Sequence, residues 1–204
     1  MNKKKYFLKI FRKAKKKYGN YKKRLAGERW RYDWQTLIAT IYSAQSRDET
    51  TIPVMKAAYK KLPTLKKFAS TPLSKIMSLT KKTNYYITKS KNSKAAAQIL
   101  LDKFNGKVPD TIENLISLPG VGRKTANLIL SEIHKKDTIT VDTHVHRISN
   151  VLGLVRTNTP NETELALKKI ILRKYWSQVN RLFVLWGKEV SGRDKKKLLM
   201  ALEK

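Results

Sequence analysis

From Tyr6 onwards the apolar side chains Phe7, Ile10, Phe11, Ala14 and Tyr18 recur at helical spacing, with lysines filling most intervening positions. The pattern predicts an amphipathic basic helix that buries one face and shows its lysines to solvent or to a polyanion. It also fits a helix lying on a membrane surface or serving as an organelle-targeting segment. Tyr21 to Arg31 reads as a basic linker, and Asp33 as the N-cap of an apolar helix carrying Trp34, Leu37, Ile38 and Ile41. Further helices are predicted over Glu49–Lys61, Leu73–Leu79, Lys94–Phe104, Ile112–Ile116, Val121–His134, Asp142–Leu152, Glu162–Leu172, Trp176–Trp186 and Asp194–Leu202. Pro53 leaves the start of the first of these open. Breaks fall at Leu62-Pro63, Thr71-Pro72, Asn105-Gly106, Pro119-Gly120 and Thr159-Pro160. Only Asp137–Val141 reads as extended, and no repeat of fixed period is present, so the expected fold class is all-α with short connections.

Composition adds a partner class. Lys+Arg 45 against Asp+Glu 15 gives a formal net charge of +30 over 204 residues, which repels itself unless a polyanion is near. Nucleic acid is the expected partner, although an anionic membrane or a ribosome also attracts such a chain. No stretch approaches the roughly 18 apolar residues of a membrane span, and MNKKKYFLKIFRKAKKKY lacks the apolar core of a signal peptide. A soluble, intracellular protein is therefore expected. The chain has no cysteine, which removes disulfides, zinc–thiolate sites and thiolate-ligated iron–sulfur clusters.

Between two helical patterns lies Leu118-Pro119-Gly120-Val121-Gly122-Arg123-Lys124. Glycines flanking one small apolar residue permit backbone angles closed to other residues and bring main-chain N–H groups close to an anion. The following helix start adds partial positive charge. Such a turn grips a phosphate without reading a base, through Gly120, Gly122 and Arg123. An ordinary tight turn is the alternative. Lys124 complicates that alternative, because a cation in the first turn of a helix is disfavoured by the macrodipole, whereas its amine is a potential nucleophile.

Val141-Asp142-Thr143-His144-Val145-His146-Arg147 opens another helix after the extended run. Asp142 is placed as an N-cap. A carboxylate fixed by cap hydrogen bonds is also suited to stabilising a cationic sugar or steering a nucleophile. His144 and His146 diverge on a helix, and with His134 as the third histidine and no cysteine a transition-metal site is not expected.

Together the two segments resemble the endonuclease III branch of the helix-hairpin-helix (HhH-GPD) DNA glycosylase superfamily. LPGVGRKTAN and VDTHVHR look like its two signatures, IYSAQSRDET at Ile41–Thr50 like its SAQ-containing helix end, and KNSKAAAQIL at Lys91–Leu100 like its NSKA helix. The resemblance runs from about Lys4 to Gly187. It implies two helical lobes with a DNA-binding cleft between them: a six-helix lobe over 29–136 bearing the hairpin at about 112–134, and a discontinuous lobe from 1–28 and 137–204.

By resemblance, Lys124 is the lysine that attacks C1′ of the damaged nucleotide and Asp142 the aspartate that assists it. Gln45 corresponds to a glutamine that enters the duplex in place of the flipped nucleotide, though its position also suits a polar helix end. Asp48 and His144 fall near the lesion pocket, with an N-cap role open for Asp48. The carbonyls of Ile116, Leu118 and Val121 correspond to those that hold a sodium or potassium ion. The implied activity is a bifunctional base-excision glycosylase with abasic-site lyase action, removing oxidised pyrimidines from double-stranded DNA as a monomer. A monofunctional uracil or thymine mismatch glycosylase and a non-catalytic hairpin module that binds DNA are the alternatives. One departure stands out: Ser191 follows Gly187-Lys188-Glu189-Val190 where family members carry the first of four cluster-ligating cysteines, so no iron–sulfur cluster is expected. Leu198, Leu199 and Leu202 predict a short helix in its place.

Overall fold

A computed structural model of the chain describes residues 2–22, 24–28 and 30–203. Lys23 and Arg29 of the expected linker, the latter also the expected start of the first lobe, lie outside them, as do Met1 and Lys204. The described residues are helical, with no strand among them. The chain separates into two compact units, one of residues 23–135 and the other of residues 1–22 with 136–204.

The central unit carries seven helices among the described residues: α2 (Asp33–Ser43), α3 (Asp48–Lys61), α4 (Leu65–Ser70), α5 (Leu73–Thr80), α6 (Tyr86–Phe104), α7 (Ile112–Ile116) and α8 (Arg123–Glu132). Their shared core is built on Leu37, Ile38, Met55, Phe68, Ile76, Ala96, Leu100, Leu115 and Ile129, with Trp34 edge-on to Tyr59. Helix α4 was not expected; six residues are too short to show a period, yet Thr64 caps it by accepting the Lys67 N–H at 3.1 Å, and Phe68 is fully buried. Helix α6 starts eight residues before the predicted Lys94. Its first turns bury Lys89, Ser90 and Ser93 instead of apolar residues, so hydrophobic periodicity does not reveal them. These serines join a buried network in which Ser90 Oγ lies 2.9 Å from the Tyr42 hydroxyl and 3.0 Å from Thr80 Oγ1, and Ser93 donates to the Tyr42 hydroxyl at 3.2 Å. Tyr32, not Asp33, is the N-cap of α2, its N–H donating to Gln35 Oε1 at 3.3 Å. Helix α3 begins ahead of Pro53 and tolerates it in the second turn.

The other unit is assembled from α1 (Lys3–Tyr18), α9 (Thr143–Val151), α10 (Pro160–Ile170), a 3-10 turn at Arg173–Tyr175, α11 (Trp176–Glu189) and α12 (Lys195–Ala201). The apolar face predicted for α1 is buried: Phe7, Ile10, Phe11, Ala14 and Tyr18 all face the core, where Phe11 lies 4.7 Å from the Tyr175 ring. Residues 137–141, read as an extended run, form no strand, and the Thr140 carbonyl accepts from Asn180 Nδ2 at 3.2 Å. The predicted C-terminal helix is α12, capped by Asp194, which accepts the Lys197 N–H at 3.0 Å. It lies on the fully buried Trp186, whose indole N–H donates to the Leu198 carbonyl at 3.1 Å. No helix of the described residues is long and apolar enough to cross a membrane.

Candidate active site

The hairpin connects α7 to α8. Leu115 and Leu118 are buried, anchoring the turn, while the Val121 N–H donates to the Leu118 carbonyl at 3.1 Å. Gly120 has φ +81°, a left-handed angle, and a Cβ there would stand 3.0 Å from Asn92 Cβ on α6 and 3.2 Å from Ile41 Cγ2 on α2. Gly122 differs: its φ is −93°, it caps α8, and a Cβ built on it meets nothing within 4 Å. One glycine is therefore fitted to the scaffold and the other to open space in front of the α8 N-terminus. Arg123 and Lys124 follow in the first turn of α8, both exposed, whereas Thr125, Ala126 and Asn127 are buried.

Gln45 sits one residue beyond the C-cap of α2 in the same unit. It is exposed and left-handed, with φ +52°, and its carbonyl accepts from Asn84 Nδ2 at 2.6 Å. The turn around it is held from below by Lys89 of α6, whose ammonium donates to the Tyr42 carbonyl at 2.8 Å, the Ala44 carbonyl at 2.5 Å and Ser46 Oγ at 2.9 Å. Lys89 is only 7% exposed, and burial pulls it from its ordinary 10.5 down to about 8. Asp48 is the first residue of α3, which Arg47 precedes as N-cap; its carboxylate accepts the Ala26 N–H at 3.0 Å and so ties the 24–28 segment to α3.

In the other unit, Asp142 is the N-cap of α9, its Oδ1 accepting the Val145 N–H at 2.9 Å. This is the cap geometry expected from the sequence, and it fixes the carboxylate. Burial lowers the Arg147 guanidinium on the same helix, and the charge of Asp142 pulls it the other way.

Residues 38–173 match the HhH-GPD superfamily of base excision DNA repair proteins. The chain belongs to that superfamily. Endonuclease III of Thermotoga maritima is 41% identical over 157 residues, covering 77% of this chain and 74% of that one. Endonuclease III of Buchnera aphidicola subsp. Schizaphis graminum is 36% identical over 190 residues, covering 93% and 89%. Among solved structures, a trapped endonuclease III–DNA covalent intermediate superposes with a TM-score of 0.85 at 30% identity, covering 93% of this chain and 88% of that one. A thermostable thymine-DNA glycosylase shares the fold, with a TM-score of 0.78 at 17% identity over 95% and 89% of the two chains.

Within this superfamily member, the two histidines diverge as expected. The half-buried His144 ring packs against α11, where a Cβ on Gly187 would meet its Nδ1 at 2.4 Å, and His146 Nδ1 lies 2.7 Å from Thr163 Oγ1 of α10. No group of three or more His, Cys, Asp or Glu suited to a metal occurs among the described residues. Arg147 braces the end of α11 and the chain after it, donating to the carbonyls of Gly187 at 3.1 Å, Val190 at 2.9 Å and Gly192.

The sequence reading missed Lys89, Asn84 and Arg147. Lys89 had one usable signal: it precedes Ser93, Ala96 and Leu100 by four, seven and eleven residues, the spacing of one helical face. Among so many surface lysines that signal is visible only once α6 is extended to Tyr86.

Proposed function

We propose that the chain is a bifunctional DNA base-excision repair glycosylase with abasic-site lyase activity, in which Lys124 is the nucleophile and Asp142 the assisting carboxylate. One observation carries the reading. Lys124 is an exposed lysine in the first turn of a helix, where it adds nothing to the core and opposes the macrodipole, directly after a hairpin whose open glycine faces the same helix start. A phosphate docked on the α8 amides through Gly120, Gly122 and Arg123 brings a sugar of the same strand to that amine.

The target nucleotide leaves the base stack first, since its C1′ is inaccessible inside a duplex. Gln45 enters the gap. The Lys124 amine bonds to C1′ through its nitrogen lone pair as the N-glycosidic bond breaks, and the base departs with its electron pair and takes up the proton that the nitrogen then loses. Asp142 stabilises the positive character of the sugar during this step. The nitrogen lone pair then forms the iminium as the C1′–O4′ bond breaks and O4′ takes up a proton from solvent, a proton leaves C2′, and the C3′–O bond breaks with the 3′ phosphate as leaving group. Water then hydrolyses the iminium and frees Lys124.

Asp48 and His144 border the lesion in this reading, alongside their packing roles. The carbonyls of Ile116, Leu118 and Val121 would hold a sodium or potassium ion; neutral, hard oxygen donors on one turn fit such a cation, and no carboxylate is required. Such an ion would supply a positive charge for a DNA phosphate. Oxidised pyrimidines in intracellular genomic DNA are the proposed substrates. The test is a panel of duplexes containing oxidised pyrimidines, uracil or thymine opposite guanine, or an abasic site, scored for base release and for nicking. Release of oxidised pyrimidines coupled to nicking is expected. Release of mispaired uracil or thymine without nicking assigns the monofunctional activity instead, and tight binding with neither assigns a non-catalytic hairpin module.

A further inference from the structure

The C-terminal end of α2 presents carbonyls that no intrahelical donor satisfies, and such ends are commonly closed by a glycine in the left-handed conformation. Here the left-handed residue is Gln45, whose long polar side chain is exposed beyond the turn. A non-glycine residue holds this conformation only where its surroundings enforce it. Three groups do so. Lys89 collects the Tyr42 carbonyl, the Ala44 carbonyl and Ser46 Oγ, thereby bridging the residues on both sides of Gln45. Asn84 then holds the Gln45 carbonyl itself, and its own N–H donates to Ser46 Oγ at 3.2 Å.

The placement of Lys89 exceeds what helix capping needs. A buried ammonium gives up its hydration, so the site keeps a group that a smaller polar residue or a glycine cap would replace with less penalty. Lys89 also lies one helical turn from Asn92, the α6 side chain against which Gly120 packs. A single face of α6 thus fixes both the turn that displays Gln45 and the hairpin that precedes Lys124.

We propose that Lys89 is a positioning residue for DNA distortion: from within the scaffold it fixes Gln45 in the left-handed conformation that aims its side chain into the duplex. The inference rests on the reading of Gln45 as the residue that enters the duplex. A duplex substrate requires that step, whereas an abasic site in single-stranded DNA requires only access to Lys124.

The experiment compares strand cleavage of one abasic-site oligonucleotide, single-stranded and in duplex, by wild type, Lys89→Met, Asn84→Ala, Gln45→Ala and the two doubles with Gln45→Ala. Lys89→Met keeps the apolar stem and removes the donors. Asn84 is exposed, so its variant folds even where Lys89→Met does not. Both single variants are expected to lower the duplex rate, by about 10-fold for Lys89→Met given the sensitivity of catalysis to misplacement on the order of 1 Å, and to leave the single-strand rate within about twofold. In the Gln45→Ala background neither adds a further loss. Equal losses on both substrates, a duplex rate like wild type in both variants, or losses that multiply with Gln45→Ala overturn the positioning role. A wild-type duplex rate in Gln45→Ala overturns its premise instead, and the two failures are thereby distinguished.

Discussion

Gly120 and Gly122 are two residues apart in one turn, yet the structure assigns them opposite sensitivities. An alanine at position 120 must adopt φ near +81°, which costs an L-residue about 1–2 kcal/mol. Its methyl group also enters contacts of 3.0 Å with Asn92 and 3.2 Å with Ile41, both on helices of the same core. Overpacking of that kind costs about 1–3 kcal/mol, and the reduced freedom of the unfolded chain returns about 0.4–1 kcal/mol. Gly120→Ala should therefore lose about 2–4 kcal/mol of stability, summed from the same terms. At position 122 the methyl meets open space and φ is ordinary. Exchanging glycine for alanine at an N-cap costs up to about 1 kcal/mol, which the unfolded-state gain largely offsets. Gly122→Ala should thus fold like wild type, but its methyl stands in front of the α8 amides and should weaken binding to an abasic-analogue duplex by about tenfold or more. Urea unfolding followed by circular dichroism measures the first effect, and fluorescence anisotropy at fixed salt the second. Comparable stability losses in the two variants, or wild-type DNA affinity in Gly122→Ala, would refute the division of labour.

Three further outcomes follow from the same structure. Lys89 has a folded value of about 8 against an ordinary 10.5, so the unfolded chain holds its proton longer and stability rises with pH between those values. Relative to Lys89→Met, wild type should gain on the order of 2 kcal/mol from pH 7 to pH 10, and a constant difference in urea unfolding across that range removes the basis for the shift. Asp142→Asn keeps an oxygen to accept the Val145 N–H, so its stability should stay within about 1 kcal/mol of wild type while glycosylase turnover falls by about 100-fold or more; undiminished turnover would show that the charge is not used. Binding to duplex DNA should weaken steeply with salt, by about 10³-fold between 50 and 200 mM if some six phosphates are contacted, and a flat salt titration contradicts a basic interface.

The parts of the fold that announce themselves are those where apolar period and chemistry coincide. The buried face of α1, the cap at Asp142 and the Gly120–Gly122 turn are each written in local residue types, and the structure realises them within a residue or two. Helix α6 is the instructive exception. Its first two turns bury Lys89, Ser90 and Ser93, and these residues are stabilised by partners on α2 and α5, far away in sequence. Periodicity in hydrophobicity does not see a core made of hydroxyls and one ammonium. Arg147 is hidden for a related reason: its role depends on three carbonyls forty or more residues away, and a carbonyl is common to every residue type. Asp48 illustrates a partial reading, since its place at the start of α3 was legible but its bond to the Ala26 N–H was not.

The central claim is that Lys124 attacks the sugar, and borohydride reduction of the Schiff base tests it most directly. Wild-type protein incubated with an abasic-site duplex and borohydride should form a covalent protein–DNA adduct, and Lys124→Ala, whose altered side chain is exposed in the folded protein, should form none. Absence of an adduct with the wild type, or an undiminished adduct with Lys124→Ala, would contradict the account.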